Sequence, residues 1–171
     1  MKTLISNDNL SITQMDESMY YDVWQNSLDE DNRRFVPDEV FETLEDAKEV
    51  VDQLISCYDT EEGPFVYAVI RNNDYANIGY VQLIQIEEGW EIGYHIAKKY
   101  TGNGYATEAV KLFLNYLRDN TDVKDLYGIA LADNKASRRV LEKCGFILFF
   151  EGSGQYQGRE RKIIRTLIRI K

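Results

Sequence analysis

Between Trp90 and Leu117 the hydrophobic period switches abruptly, and no other feature constrains the fold as much. Trp90, Ile92, Tyr94 and Ile96 alternate with Glu91, Gly93 and His95, the period of a strand with two unlike faces. Thr101-Gly102-Asn103-Gly104 then breaks the pattern, and Ala106, Ala109, Val110, Phe113, Leu114 and Leu117 recur at helical spacing. A strand, a glycine turn and a helix in direct succession set the helix N-terminus at the strand end. Glycines there let backbone N–H groups approach an anion, and the helix N-terminus adds unpaired donors and partial positive charge. A pyrophosphate suits that junction, with Lys98 and Lys99 close by.

The rest of the chain can be placed around this unit. Leu10 to Met15 reads as a short strand, and residues 17–28 as a helix on Tyr20, Val23, Trp24 and Leu28, ended by Asp29-Glu30-Asp31-Asn32. An irregular stretch runs through Pro37. Thr43, with Asp46 three residues on, opens a second helix striped by Leu44, Ala47, Val51, Leu54 and Tyr58. Phe65–Arg71, Ile78–Ile86 and Trp90–Ile96 read as three strands joined by hairpin turns. Leu126–Leu131 is a strand, and Asn134–Cys144 a helix with Ala136, Val140 and Leu141 inward and Gly145 as its cap. Phe146–Phe150 and Arg161–Ile170 are closing strands joined by a Gly-rich turn. The order is α+β with a mixed sheet, about seven strands and four helices.

At 171 residues the chain fits one domain, taken as 1–171. It has neither an apolar run long enough to span a bilayer nor a signal-peptide core, and the plain expectation is a cytoplasmic protein that does not engage membranes. Cys57 and Cys144 make neither a disulfide framework nor a metal set. A net charge of −9 argues against a generic nucleic-acid binder. The charge is uneven: residues 1–62 carry 4 Lys/Arg against 17 Asp/Glu, and residues 63–171 carry 16 against 12. Such asymmetry suggests a cationic ligand on one side and an anionic one on the other, or simply solvated helix faces.

The glycine loop fails two phosphate motifs. A Walker loop needs Gly-Lys-Ser/Thr, and Gly104 is followed by Tyr105. A dinucleotide fingerprint needs glycine where Thr107 stands, within an early parallel βαβ unit. What the loop does resemble is the acyl-CoA signature of the GNAT (Gcn5-related N-acetyltransferase) superfamily, Arg/Gln-x-x-Gly-x-Gly/Ala, matched as Lys99-Tyr100-Thr101-Gly102-Asn103-Gly104. Glu91-Ile92-Gly93-Tyr94-His95-Ile96, Gly104-Tyr105-Ala106-Thr107-Glu108-Ala109 and Asn134 to Phe146 resemble its ribosomal-protein N-terminal acetyltransferase subgroup. Lys99 departs from the usual Arg or Gln, and Lys98 stands where many relatives have proline. Motif-grade resemblance covers about residues 90–147.

The resemblance implies a mostly antiparallel sheet, acetyl-CoA as co-substrate, no metal, and acetyl transfer to a primary amine by direct attack. It implies that the strand ending at Ile96 splays from the next strand, so that the backbones of Tyr94 and Ile96 pair with the pantetheine arm while their side chains pack in the core. The amides of Gly102, Asn103, Gly104, Tyr105 and Ala106, with Lys99 beside them, would hold the pyrophosphate. Amide formation from a thioester needs a neutral amine, oxyanion stabilisation and a proton for the leaving thiolate. Glu91 is either the base, acting through water, or a solvent-facing or salt-bridged strand glutamate. Asn134 and Ser137 share a helical face: Asn134 would bond the pantetheine arm or cap its helix, and Ser137 would protonate the thiolate. His95 reads as pocket lining, and both cysteines as core.

No motif in residues 1–65 identifies the acceptor. Its acidic runs, Asp29-Glu30-Asp31 and Asp38-Glu39-Glu42, suit a cationic small molecule or a basic peptide N-terminus, with Phe35, Phe41 and Trp24 as apolar walls. Polyamine, peptide and aminoglycoside acceptors all stay open. So does a non-catalytic acyl-CoA-binding or sensor module of the same fold, or an acidic interaction domain without a nucleotide. Relatives often form homodimers through their sheets, but no strand in this sequence advertises an exposed seam.

Overall fold

A computed structural model describes residues 2–171. Eight strands form one sheet: β1 (Thr3–Ser6), β2 (Leu10–Gln14), β3 (Phe65–Arg71), β4 (Ala76–Ile86), β5 (Gly89–Ile96), β6 (Asp125–Leu131), β7 (Ile147–Tyr156) and β8 (Arg159–Arg169). Their spatial order is β1-β2-β3-β4-β5-β6-β8-β7. Every neighbouring pair is antiparallel except β5 and β6. Five helices flank the sheet: α1 (Tyr20–Ser27), α2 (Glu30–Phe35), α3 (Leu44–Cys57), α4 (Tyr105–Asn120) and α5 (Lys135–Lys143).

The expected class, α+β with a mostly antiparallel sheet, is the observed one, with one more strand and one more helix. The extra strand is β1, too short to show a period. The extra helix is α2, in the stretch expected to be irregular. Glu30 and Asp31 in its first turn and Arg33 and Arg34 in its last complement the helix dipole. The helix expected over residues 17–28 begins as a 3₁₀ turn, Glu17–Met19. The Thr43–Asp46 capping box forms as read: Thr43 Oγ1 accepts from Asp46 N at 3.1 Å, and Asp46 Oδ2 accepts from Thr43 N at 2.9 Å. Gly145, at φ +90°, ends the α5 helix, with Phe146 N donating to Leu141 O.

The two faces of the sheet carry separate cores. On one, α4 and α5 bury Val110, Phe113, Leu117 and Leu141 against Leu10, Ile12, Ile92 and Leu126. On the other, α1 and α3 cover Met15, Met19, Val51, Val66, Ala68 and Ile70. Ala136, read as inward, is exposed, because only Val140 and Leu141 of its stripe reach the sheet.

Two further expectations need correcting. The Gly-rich segment 152–156 belongs to β7 rather than to a turn, which tightens to the two positive-φ residues Gln157 and Gly158. Those residues form a two-residue hairpin connection. Glycine keeps the strand in place: a Cβ on Gly154 would lie 2.6 Å from Ile163 Cδ1. The sheet also has an exposed apolar edge after all. On β7, Ile147 is 69% exposed and Phe149 53%, with Leu148 and Phe150 beside them. Four consecutive apolar residues show no alternation, so the sequence pattern gives no sign of an exposed face.

Candidate active site

The decisive feature is where β5 and β6 part. They pair in parallel only at Trp90–Leu126, Glu91–Tyr127 and Ile92–Gly128, so β5 has no neighbour on that side from Gly93 to Ile96. The direction of its free groups follows from the ladder with β4. Ala97 N donates to Ile78 O, and antiparallel bonding alternates residue by residue. The backbone groups of His95 and Gly93 therefore face β4, and those of Tyr94 and Ile96 face the gap.

At the end of β5 the loop through Gly102 and Gly104 leads into α4. Both glycines have positive φ, +82° and +80°, and a Cβ on either would meet nothing within 4 Å. They are required by backbone conformation, and open space lies over them. Gly104 caps α4 without any side-chain hydrogen bond, so the first amides of the helix point into that space. Asn103 Nδ2 closes the loop from inside, donating to Tyr100 O at 3.1 Å and Thr101 O at 3.2 Å. An open anion cradle beside an unpaired strand edge fits the diphosphate and amide-bearing arm of acetyl-CoA. Lys99 lies over the Tyr100 ring, its Nζ 4.9 Å from the centroid. Lys98 does not join the cradle: its N donates to Asp29 Oδ2 at 2.6 Å and its Nζ to Asp31 Oδ2 at 2.7 Å.

A cleft of about 220 Å³ sits where the strands part, lined by Glu39, Gln82, Glu91, Tyr94, Asn134, Ser137 and Tyr156 among others. Glu91 comes from the α1–α3 side of the sheet, and Ser137 with the Tyr94 ring from the α4–α5 side. Glu91 makes no ion pair among the described residues, and Arg165 is paired with Glu88 instead. Burial is the main reason its carboxyl is pushed up to about 7; the Arg165 charge opposes this, and Glu39 and Glu88 add to it. The salt-bridged alternative for Glu91 is not what the structure shows; the residue is half-buried and lines the cleft.

Glu39 was read only as part of an acidic run. Burial pushes its carboxyl up to about 7, against the Gln82 hydrogen bond, which lowers it, while Asp38 adds to the rise. Its Oε1 accepts from Gln82 Nε2 at 3.4 Å, and its Oε2 is buried without a partner. Gly93 makes this possible, since a Cβ there would lie 2.4 Å from Gln82 Nε2.

Ser137 and Asn134 lie at the opposite wall. Asn134 Oδ1 accepts from Ser137 N at 3.1 Å, so it does cap α5. Ser137 Oγ is 2.9 Å from the Tyr94 hydroxyl, which also donates to Ser137 O at 3.0 Å. The Tyr94 side chain was expected merely to pack in the core. Its phenol is instead held protonated by burial, with its pKa raised further above the ordinary value, and its hydroxyl reaches Ser137 on α5.

A strap formed by α2 and the residues after it crosses over the cleft. Besides the Lys98 bonds, Arg34 pairs with Asp133 at 2.9 Å, Tyr156 donates to Phe35 O at 2.9 Å, and Asp38 N donates to Gln157 Oε1 at 3.3 Å. The hairpin tip of β7 and β8 thus reaches the site. Sequence pattern offered no signal for it except the Gln-Gly turn.

On the α1–α3 side a second cavity of about 330 Å³ adjoins the cleft, sharing Glu39, Tyr80, Gln82 and Ile84 with it. His95 lines this cavity, as read. Burial holds its imidazole below the usual value and so neutral, although Asp29 Oδ2 lies 3.8 Å from Nε2. Of the three expected aromatic walls, Phe41 is present, while Trp24 and Phe35 are elsewhere. Cys144 is core, its thiol pushed up to about 11 by burial; Cys57, at the end of α3, is only partly buried. No group of three or more His, Cys, Asp or Glu among the described residues could hold a metal ion.

Comparison with known proteins agrees with this geometry. Residues 10–147 match the acetyltransferase (GNAT) domain family. An uncharacterized N-acetyltransferase of Bacillus subtilis, YoaA, is 24% identical over 149 residues, covering 85% of this chain and 84% of its own. Among solved structures, a GNAT-family acetyltransferase from Bacillus anthracis superposes with a TM-score of 0.83 at 22% identity, covering 97% of this chain and 98% of that one. A ribosomal-protein-S5-alanine acetyltransferase from Vibrio fischeri has the same fold, with a TM-score of 0.84 at 17% identity over 100% of this chain and 98% of that one. The chain belongs to the GNAT acetyltransferase family. It is an acetyl-CoA-dependent N-acetyltransferase.

Proposed function

We propose that this chain acetylates a primary amine by direct attack, with Glu91 and Ser137 working from opposite faces of the parted sheet. The observation that carries the reading is that both side chains line one cleft at the only gap between β5 and β6. Acetyl-CoA supplies the thioester carbon and a thiol leaving group. The backbones of Tyr94 and Ile96 and the side chain of Asn134 hold its arm. The amides of Gly102, Asn103, Gly104, Tyr105 and Ala106, with Lys99 beside them, hold its diphosphate.

Glu91 takes the proton of the acceptor ammonium, directly or through one water, since a carboxylate near 7 is matched to that task. Ser137, hydrogen-bonded to the Tyr94 hydroxyl, holds the proton for the departing thiolate. The strap and the hairpin tip limit water in the cleft. Residues 1–171 act as one catalytic domain, and the free thiols and acetyl-CoA requirement suit the cytoplasm. The apolar edge of β7 supports a homodimer joined there, which Phe149→Glu would dissociate in light scattering.

Calorimetry with acetyl-CoA and thiol release with an amine panel test the reading together. Intact acetyl-CoA binding with turnover lost in Glu91→Gln and reduced in Ser137→Ala is expected. Binding with turnover unchanged in both variants would remove these residues from the reaction.

A further inference from the structure

The cavity beside the cleft has a chemistry that narrows the acceptor. Its walls are Met15, Val23, Phe41, Val50, Leu54 and Val66, with other apolar side chains between them. At about 330 Å³ it falls at the lower end of small-molecule sites, which run from ~300 to 1,000 Å³. No lysine or arginine lines it or the adjoining cleft among the described residues.

Three buried polar atoms in this wall have no hydrogen-bond partner: Asn32 Oδ1, Glu39 Oε2 and His95 Nε2. Buried polar groups are nearly always satisfied, so three orphans around one apolar cavity call for a donor-bearing occupant. Glu39 stands on the boundary, lining both the apolar cavity and the cleft that holds Glu91.

The acidic excess of residues 1–62 does not serve a polycation. Asp29 and Asp31 hold Lys98, Glu42 pairs with Arg33, and Asp52 accepts from Tyr20. The carboxylates left at the site are Asp38, Glu39 and Glu91. A second or third ammonium of a polyamine would be buried against Val23, Leu54 and Phe41, at a large desolvation cost.

Building on the acetyltransferase reading, we infer that the acceptor is a primary amine on an apolar body, its ammonium between Glu39 and Glu91 and its body in the Val23–Leu54–Phe41 cavity. Glu39 is then a specificity residue: it binds the ammonium beside the base and leaves proton removal to Glu91. Asn32 and His95 accept from, or donate to, a polar group next to the amine. The same chemistry occurs in a free arylalkylamine and in a peptide whose first residue is apolar.

The test measures thiol release from acetyl-CoA with phenethylamine, a tripeptide beginning with phenylalanine, spermidine and kanamycin, alongside calorimetry of acetyl-CoA binding. We expect kcat/KM for phenethylamine or the tripeptide to exceed spermidine and kanamycin by at least about 100-fold, the scale on which apolar pockets discriminate. Whichever of the first two is preferred identifies the source of the amine. Val23→Trp fills the cavity and should raise KM for the preferred amine at least about tenfold with acetyl-CoA affinity unchanged. Leu54→Ala, which enlarges the cavity, should shift preference toward naphthylmethylamine and serves if the tryptophan variant does not fold. Glu39→Gln should raise KM for the preferred amine at pH 8 with acetyl-CoA affinity again unchanged. Acetyl-CoA binding with spermidine or kanamycin turned over as well as the apolar amines would overturn this inference and leave the acetyltransferase reading standing. Acetyl-CoA binding without turnover of any of the four would also overturn it. Absence of both binding and turnover would overturn the two together.

Discussion

On the proposed reading, the two faces of the sheet recognise their ligands by different means. On the α4–α5 face, backbone does the work: positive-φ Gly102 and Gly104, an uncapped helix and the free edge of β5. On the α1–α3 face, side chains from well-separated segments, Met15, Val23, Glu39, Leu54 and His95, converge on one cavity. A backbone site needs particular residues only where conformation or close approach demands them, so it leaves a compact motif. A side-chain site can be assembled from anywhere the fold brings together, so it leaves none. The proposed cofactor and acceptor sites differ in the same way, the first built for an arm and a diphosphate and the second for a charge and a shape.

Substitutions can sharpen or break this contrast. The largest effect is expected at Glu91. Glu91→Gln should lower kcat/KM by roughly 100- to 10,000-fold, the usual contribution of general acid–base catalysis, with acetyl-CoA affinity unchanged in calorimetry. A cofactor affinity lost together with turnover would mean that the two faces are not separable.

Next come the two cores. Phe113, fully buried on the α4–α5 face, should cost about 3–5 kcal/mol as Phe113→Ala in denaturant unfolding. Met15→Ala, beside the existing cavity on the other face, should cost about 2 kcal/mol. Equal costs would show that the acceptor side is packed as tightly as the cofactor side.

Gly104→Val should weaken acetyl-CoA binding and cost about 1–2 kcal/mol in stability, because a β-branched residue is strained at φ +80°. Strain without a binding loss would remove the loop from the cofactor site.

The smallest effects are in pH dependence. In the proposed mechanism Glu91 acts deprotonated, so kcat/KM should fall as pH drops below about 7. Glu39 raises the Glu91 value, so Glu39→Gln should move that limb to lower pH. The stability sign is opposite to that of an ion-paired carboxylate. Glu39 and Glu91 bind protons more tightly folded, near 7, than at the ordinary 4.5. Their contribution is fully present below pH 4.5 and is lost as pH rises through 7. Glu39→Gln should therefore melt a few °C higher than the native chain at pH 8, roughly 2–4 °C per kcal/mol for a domain of this size. That difference should vanish near pH 4.5. A constant difference at every pH would place its origin in packing.

Local sequence already carried much of this architecture. The alternation from Trp90 to Ile96, the Thr43 capping box and the Gly145 cap are all short-range devices, and each formed where it was read. α2 escaped notice because a helix of six residues has too few positions for a hydrophobic stripe. The extension of β7 through Gly152 and Gly154 escaped because glycines there answer to Ile163 across the hairpin, a neighbour that sequence order does not show.

By itself, then, the sequence determined the fold class, the glycine cradle and the candidates Glu91, Asn134 and Ser137, because periodicity, caps and positive-φ glycines are encoded over a few adjacent residues. Only the tertiary structure decided that β5 parts from β6 after Ile92 and that the Tyr94 hydroxyl meets Ser137. It alone turned Lys98 toward Asp29 and Asp31, and set Glu39 against an apolar cavity beside Glu91. Those facts depend on which side chains lose water together, and burial is a property of the assembled chain rather than of any one segment.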